Sequence, residues 1–483
     1  MRHGRTPGPG ATNKHTMNMK KIMTSICPAL LLLACSQNEE TVASQAAAPE
    51  ISSISIQDGS VDVDPALGTI SVYTTAPVTP DNEAITLASE DGTRIEFRIT
   101  PANKNFRLTF GELDRNTLYT LTIPAGSLHN AYDPALINAT AASVRFTTLY
   151  TTPESVTVNP DEALTDPDAS EAARRLYDYI RNDLFLGGKI ATGTMAHYTT
   201  QMTEAEWVCE KTGRYPALHC FDLMNLTGKE YLEDYADLLP NARAWHEAGG
   251  IVAAMWHWRD PSKSGNDFYV ENCSFDLAKI VAAANPDGTY TYATDSEEYL
   301  SVMEDIAAAK AELKKLADAG IPVLWRPLHE ARGKWFWWGN AGADACKALW
   351  QLLRREMGDL HNLIWVWTVQ VDDRFGEAQQ WYPGDDRVDI VGVDIYEEVH
   401  DSFAEEFRFA AEVSASRKVI ALTECGAMPD VDKMQNDGAA WAYCMPWYGE
   451  HTQSIQYNGI KYWQRMMTGD FADRVIDRSE VAL

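Results

Sequence analysis

Between residues 51 and 148, apolar and polar positions alternate in short runs separated by turn residues. The segments 51–56, 69–73, 94–99, 106–110, 118–123 and 143–147 each carry the period-two pattern of a half-buried strand. About six such strands in roughly a hundred residues predict an all-β sandwich over 51–149. Residues 150–169 are rich in Pro, Thr and Asp and read as a linker. From residue 170 to residue 483 the pattern changes. Apolar runs at 190–195, 217–221, 251–256, 323–328, 363–369, 389–395, 419–422 and 460–463 alternate with stretches of helical composition, such as 298–319 with Gly320 behind it. Eight strands alternating with helices predict a (β/α)8 TIM barrel, an α/β fold whose active site assembles where the strands end.

The start of the chain is a different kind of segment. Lys20 and Lys21 precede an apolar run, 22–34, that stops at Cys35. That run is too short to cross a bilayer as a stable helix, so residues 1–35 read as a targeting signal and stay outside the fold. Met17 and Met19 offer later starts, which leaves residues 1–16 upstream of the signal. Residues 36–50 form a polar, Ala-rich tether.

Composition supports two unlike domains. All 15 Trp of the 483 residues lie between Trp207 and Trp463, so the predicted sandwich has none. A formal net charge of −28 argues against nucleic acid and anionic lipid surfaces as partners, and a neutral polysaccharide is indifferent to it. Beyond Cys27 and Cys35, six cysteines remain, at 209, 220, 273, 346, 425 and 444. None shows CxxC spacing or a His partner pattern, so no metal and no cofactor are expected, and any disulfide pairing stays open.

The most concentrated chemistry lies at 325–338, WRPLHEARGKWFWW. It follows an apolar run and puts His329 and Glu330 where a strand gives way to a loop. Sugar rings stack their apolar faces on aromatics while their hydroxyls need polar partners, so a carboxylate beside tryptophans suits a carbohydrate site. Glu424 ends a second strand-like run about three βα units further on. Two carboxylates at strand ends of one barrel are what a glycosidase needs: in the retaining kind they stand about 5–5.5 Å apart, one protonating the leaving oxygen and the other attacking the sugar. Spacing alone does not assign the two roles. Strand alternation points Arg326 and Asp394 into the barrel as a supporting ion pair, and Cys425 reads as a packing residue.

Several long motifs in order resemble glycoside hydrolase family 26, best known for endo-β-1,4-mannanases. They are 250–257 (GIVAAMWH), 325–338, 381–396 (WYPGDDRVDIVGVDIY) and 418–426 (KVIALTECG). The resemblance implies that Glu330 is the acid/base and Glu424 the nucleophile of a double displacement on internal linkages of mannan, glucomannan or galactomannan. It further implies that Tyr396 bonds the nucleophile, that His257 and His329 contact substrate or orient the acid, and that Trp335 and Trp338 are substrate-binding aromatics. Ala331, Arg332 and Lys334 depart from common forms of the motif and leave the glycan open. A β-1,3-1,4-glucanase or xylanase of the same fold is the alternative, with a non-catalytic glycan-binding lipoprotein behind it. Residues 119–127 (YTLTIPAGS) resemble bacterial Ig-like domains, read as a spacer rather than a carbohydrate-binding module. The segment ending at Cys35 resembles a lipoprotein signal, and Glu39 and Glu40 behind it resemble the mark of surface display on the outer membrane, the periplasmic face being the alternative. A monomer is expected.

Overall fold

The computed structural model describes residues 47–196, 200–230, 232, 235–372 and 374–483. The targeting segment and most of the tether lie outside the described residues. Among the described residues, no helix is long and apolar enough to cross a membrane.

The N-terminal sandwich has two four-stranded sheets. One runs Ile51–Ile54, Thr69–Thr74, Asn105–Phe110, Phe97–Ala102 in spatial order, the other Ser60–Val63, Ala142–Thr148, Leu118–Ile123, Thr86–Ser89. Alternate residues face inward, as in Leu118–Ile123, where Tyr119, Leu121 and Ile123 are buried. All six predicted strands are present. Four short ones were not predicted: Ser60–Val63, Val78–Pro80, Thr86–Ser89 and Leu128–Asn130.

The C-terminal region closes into a barrel of eight parallel strands: Ile190–Met195, Leu218–Asp222, Ile251–Met255, Val323–Arg326, Leu363–Val369, Ile390–Ile395, Val419–Cys425 and Tyr443–Pro446. Nearly every strand residue is buried, because side chains of one face fill the barrel and those of the other pack on helices. Seven predicted strands are found. The eighth is corrected: 460–463 is not a strand but the start of the helix Ile460–Met467, whose Trp463, Met466 and Met467 are buried at helical spacing. The true eighth strand, Tyr443–Pro446, is only four residues long and ends in proline.

Residues 150–169 do not behave as a free linker. The backbone N–H of Asp161 donates to the Arg417 carbonyl, and its carboxylate pairs with Arg417 and Lys418. Thr165 donates to Asp389 and Asp166 pairs with His361. The segment is strapped along the barrel wall. The six described cysteines are free thiols.

Candidate active site

The strand ends of the barrel converge on a polar cluster. Arg326, the last residue of strand four, reaches with Nη1 to Asp394 on strand six at 3.0 Å and to Thr368 Oγ1 on strand five at 2.9 Å. Its Nη2 contacts Glu424 Oε1 on strand seven. The expected Arg326–Asp394 ion pair is therefore present, and Glu424 shares it. Tyr396, one residue past strand six, donates its hydroxyl to Glu424 Oε2 at 2.5 Å. Both oxygens of Glu424 thus accept hydrogen bonds, an arrangement suited to a carboxylate. Thr423 donates to Asp394 at 2.6 Å. Its side chain fits because residue 392 is glycine: a Cβ there would sit 2.5 Å from Thr423.

Glu330 approaches the cluster from the loop after strand four. Oxygens of Glu330, Asp394 and Glu424 lie within 4.8 Å of one another. Three carboxylates around one guanidinium cannot all stay ionised at ordinary cost. Burial, then the charges of Asp394 and Glu424, push the Glu330 carboxyl up to about 9. Asp394 is raised as well, by burial against the pull of Arg326. One carboxyl is thus kept protonated beside one that accepts from a tyrosine and an arginine.

The loop that delivers Glu330 is conformationally costly. Leu328 (φ 55°), Glu330 (φ 52°) and Lys334 (φ 62°) all occupy the left-handed region. Packing holds them there. Trp335 donates its indole N–H to Glu330 Oε2 at 3.1 Å, and its ring lies where a Cβ on residue 333 would come within 2.1 Å, so that position requires glycine.

The histidines form a chain. His257, two residues past strand three, directs Nδ1 at Asp222 Oδ2 (2.6 Å), and its Nε2 meets His329 Nε2 at 3.2 Å. Asp222 accepts only, so the proton of His257 sits on Nδ1 and its Nε2 accepts from His329. Burial holds His329 well below its usual range, so it stays neutral.

Trp338, expected on the sugar-binding wall, is corrected: it has no exposed surface, donates to the His329 carbonyl at 2.8 Å and stacks on Phe336. Trp325 and Trp337 are buried too, which leaves Trp335 as the half-exposed tryptophan of the motif. The tryptophan cluster is mostly scaffold. Sequence reasoning missed Asp222 and the half-exposed Trp447 behind strand eight, whose ring lies 5.7 Å from that of His257. Asp222 carries the same signal as Glu330, an acid closing an apolar run. Cys425 is wholly buried with its thiol pushed up by that burial, as a packing residue should be.

Residues 45–148 match the bacterial Ig-like domain and residues 165–472 match glycosyl hydrolase family 26. A mannan endo-1,4-beta-mannosidase of Thermothelomyces thermophilus is 33% identical over 339 residues, covering 66% of this chain and 65% of that protein. A beta-mannanase from a symbiotic protist of the termite Reticulitermes speratus, crystallised with a gluco-manno-oligosaccharide, shares 32% identity and superposes with a TM-score of 0.59, covering 68% of this chain and 99% of its own. The family 26 domain of an endo-beta-mannanase/endo-beta-glucanase from Prevotella bryantii shares 30% identity at a TM-score of 0.57, covering 67% and 100%. Across the fungal proteins it matches, this chain spans from 48% to 65% of their length. With the match covering well over half of its residues, the chain belongs to glycosyl hydrolase family 26.

Proposed function

We propose that this protein is a retaining endo-β-1,4-mannanase that cleaves internal linkages of mannan, glucomannan or galactomannan. The observation that carries the reading is the pair Glu330 and Glu424 at the ends of strands four and seven, with carboxyl oxygens within 4.8 Å. That spacing suits attack by one carboxylate directly on the sugar, whereas an inverting pair stands about 6.5–9.5 Å apart to admit a water. Glu330, held protonated, donates to the departing glycosidic oxygen. Glu424, aimed by Tyr396 and Arg326, attacks the anomeric carbon and forms a glycosyl ester. Glu330, now a carboxylate, takes a proton from the incoming water, which releases the sugar with its original configuration. Trp335 offers the ring face beside Glu330, and the Asp222–His257–His329 chain fixes the donors next to it. Relatives named as mannan endo-1,4-beta-mannosidases support mannan as the glycan.

Incubation with mannan, glucomannan, galactomannan, lichenan and xylan, followed by product analysis, tests this directly. Mannan-class substrates should be cut to oligosaccharides. Cleavage of lichenan without mannan would overturn the substrate, and binding without turnover on all five would overturn the enzyme.

We further propose an outward-facing, outer-membrane monomer tethered through a lipid on Cys35; the charged, apolar and Cys-terminated segment 20–35 supports the tether. Fatty-acid labelling should be lost in Cys35→Ala, and labelling that persists would contradict it.

A further inference from the structure

The Ig-like domain makes a specific contact that a spacer does not need. The helix Phe375–Trp381 follows barrel strand five, and the residue before it, Arg374, supplies no side-chain acceptor for the helix's first free N–H groups. Asp62 supplies it from the other domain. Its Oδ1 lies 3.3 Å from Gly376 N and its Oδ2 3.4 Å from Glu377 N, the second and third positions of the helix, where a capping side chain normally bonds. The fit is close. A Cβ on Gly376 would stand 2.8 Å from the Val61 Cβ, so the approach of the strand Ser60–Val63 depends on that glycine. Beside it, Tyr150 stacks on Phe375 with ring centroids 3.8 Å apart, and both rings are buried.

The capped helix leads back to the catalytic loop. Glu377 and Asp372 flank Arg332, whose side chain is only 3% exposed, at 3.5 and 2.7 Å. Arg332 also donates to the Gln370 carbonyl at 2.8 Å. Arg332 sits in the tight turn Ala331–Gly333, between Glu330 and the Trp335 that bonds it.

We propose that the Ig-like domain is part of the catalytic unit: Asp62 caps the helix Phe375–Trp381 across the domain boundary and, through Glu377 and Arg332, sets the turn that aims Glu330. Asp62 is a positioning residue and touches no substrate. The inference rests on Glu330 being the proton donor, and it predicts a loss where the departing oxygen needs that proton and none in the first step on a substrate whose leaving group departs unaided. Asp62 has φ 55°, a conformation that glycine and asparagine accept, so Asp62→Gly removes the carboxylate without adding backbone strain and Asp62→Asn keeps an acceptor.

The full-length protein and the variants Asp62→Gly, Asp62→Asn and Gly376→Ala are compared on mannan and on dinitrophenyl β-mannobioside, whose leaving group departs without help. Asp62→Gly and Gly376→Ala should lower kcat on mannan about fivefold with KM held within about twofold, since a misplacement of about 1 Å can cost a hundredfold. Their kcat/KM on the aryl substrate should stay within about twofold of the parent, and Asp62→Asn should recover most of the mannan rate. Unchanged mannan kinetics in both damaging variants would overturn the proposal, as would an equal loss on both substrates. Amide exchange at Gly376 and Glu377 reads the cap without any substrate and should quicken in Asp62→Gly. If that exchange is unchanged, the cap itself is refuted, whereas a parent protein inactive on mannan would sink the functional reading alone.

Discussion

Glu330 is held in a left-handed backbone conformation, buried, and pressed by two other carboxylates, and each of those facts bears on its chemistry. A group raised in this way is protonated through neutrality, and the first step fails as pH rises through its titration. Asp394→Asn removes one of the negative charges that raise it, so the alkaline limb of kcat/KM on mannan should move to lower pH, by on the order of one unit. A limb that stays in place or moves upward would show that Asp394 does not act on Glu330. At this scale the sequence showed the ionisable residues better than their surroundings. Glu330, Glu424, Tyr396 and Arg326 each close or follow an apolar run, a pattern visible without coordinates. The burial of Trp338 was not visible, because the three tryptophans at 335, 337 and 338 look alike until packing shows which one keeps a free face. Asp222 was legible in principle, as the acid ending the run at 218–222.

Among the elements, the strap at 150–169 shows what composition conceals. A stretch rich in Pro, Thr and Asp lacks periodicity whether it is loose or docked, and here it is docked by long-range partners that no local pattern encodes. Asp161 is the clearest case. Lys418 beside it is 2% exposed, and Asp161 is the carboxylate that pairs with it. Burial alone would raise the Asp161 carboxyl, but Arg417 and Lys418 hold it below its ordinary value. A depressed carboxylate adds stability above its unfolded pKa and loses it as pH falls through the folded one, so the strap should loosen in acid. At neutral pH Asp161→Ala leaves a buried lysine uncompensated and should cost about 3 kcal/mol by urea unfolding. A cost under about 0.5 kcal/mol, the usual size for a surface change, would contradict this reading. Short elements were the ones missed. Tyr443–Pro446 and the four brief sandwich strands offer too few alternations for period two to register, and the four apolar-rich residues 460–463 are too few to show the helical period of Ile460–Met467.

For the molecule as a whole, the two domains were legible from the change of pattern near residue 150 and from where the tryptophans lie, and the closed barrel followed from alternating strands and helices. The contact between the domains was not legible, since Asp62 and Gly376 are ordinary residues 314 positions apart. Net charge has consequences at this scale as well. A formal charge of −28 repels itself and would repel an anionic ligand, yet a neutral mannan carries nothing to attract or repel. kcat/KM on mannan should therefore change less than about twofold between roughly 20 and 300 mM NaCl, while the melting temperature rises modestly as salt screens the self-repulsion. A steep salt dependence of kcat/KM would point to a charged substrate.

Azide rescue separates a Glu330 that donates the proton from a Glu424 that forms the covalent bond. In Glu330→Ala an activated aryl mannobioside still forms the glycosyl ester, and azide then attacks it; two inversions give the β-azide. In Glu424→Ala azide attacks the substrate once and gives the α-azide. With Glu330 as acid/base and Glu424 as nucleophile, NMR should find that pairing of variant and product; the reverse pairing would exchange the two roles.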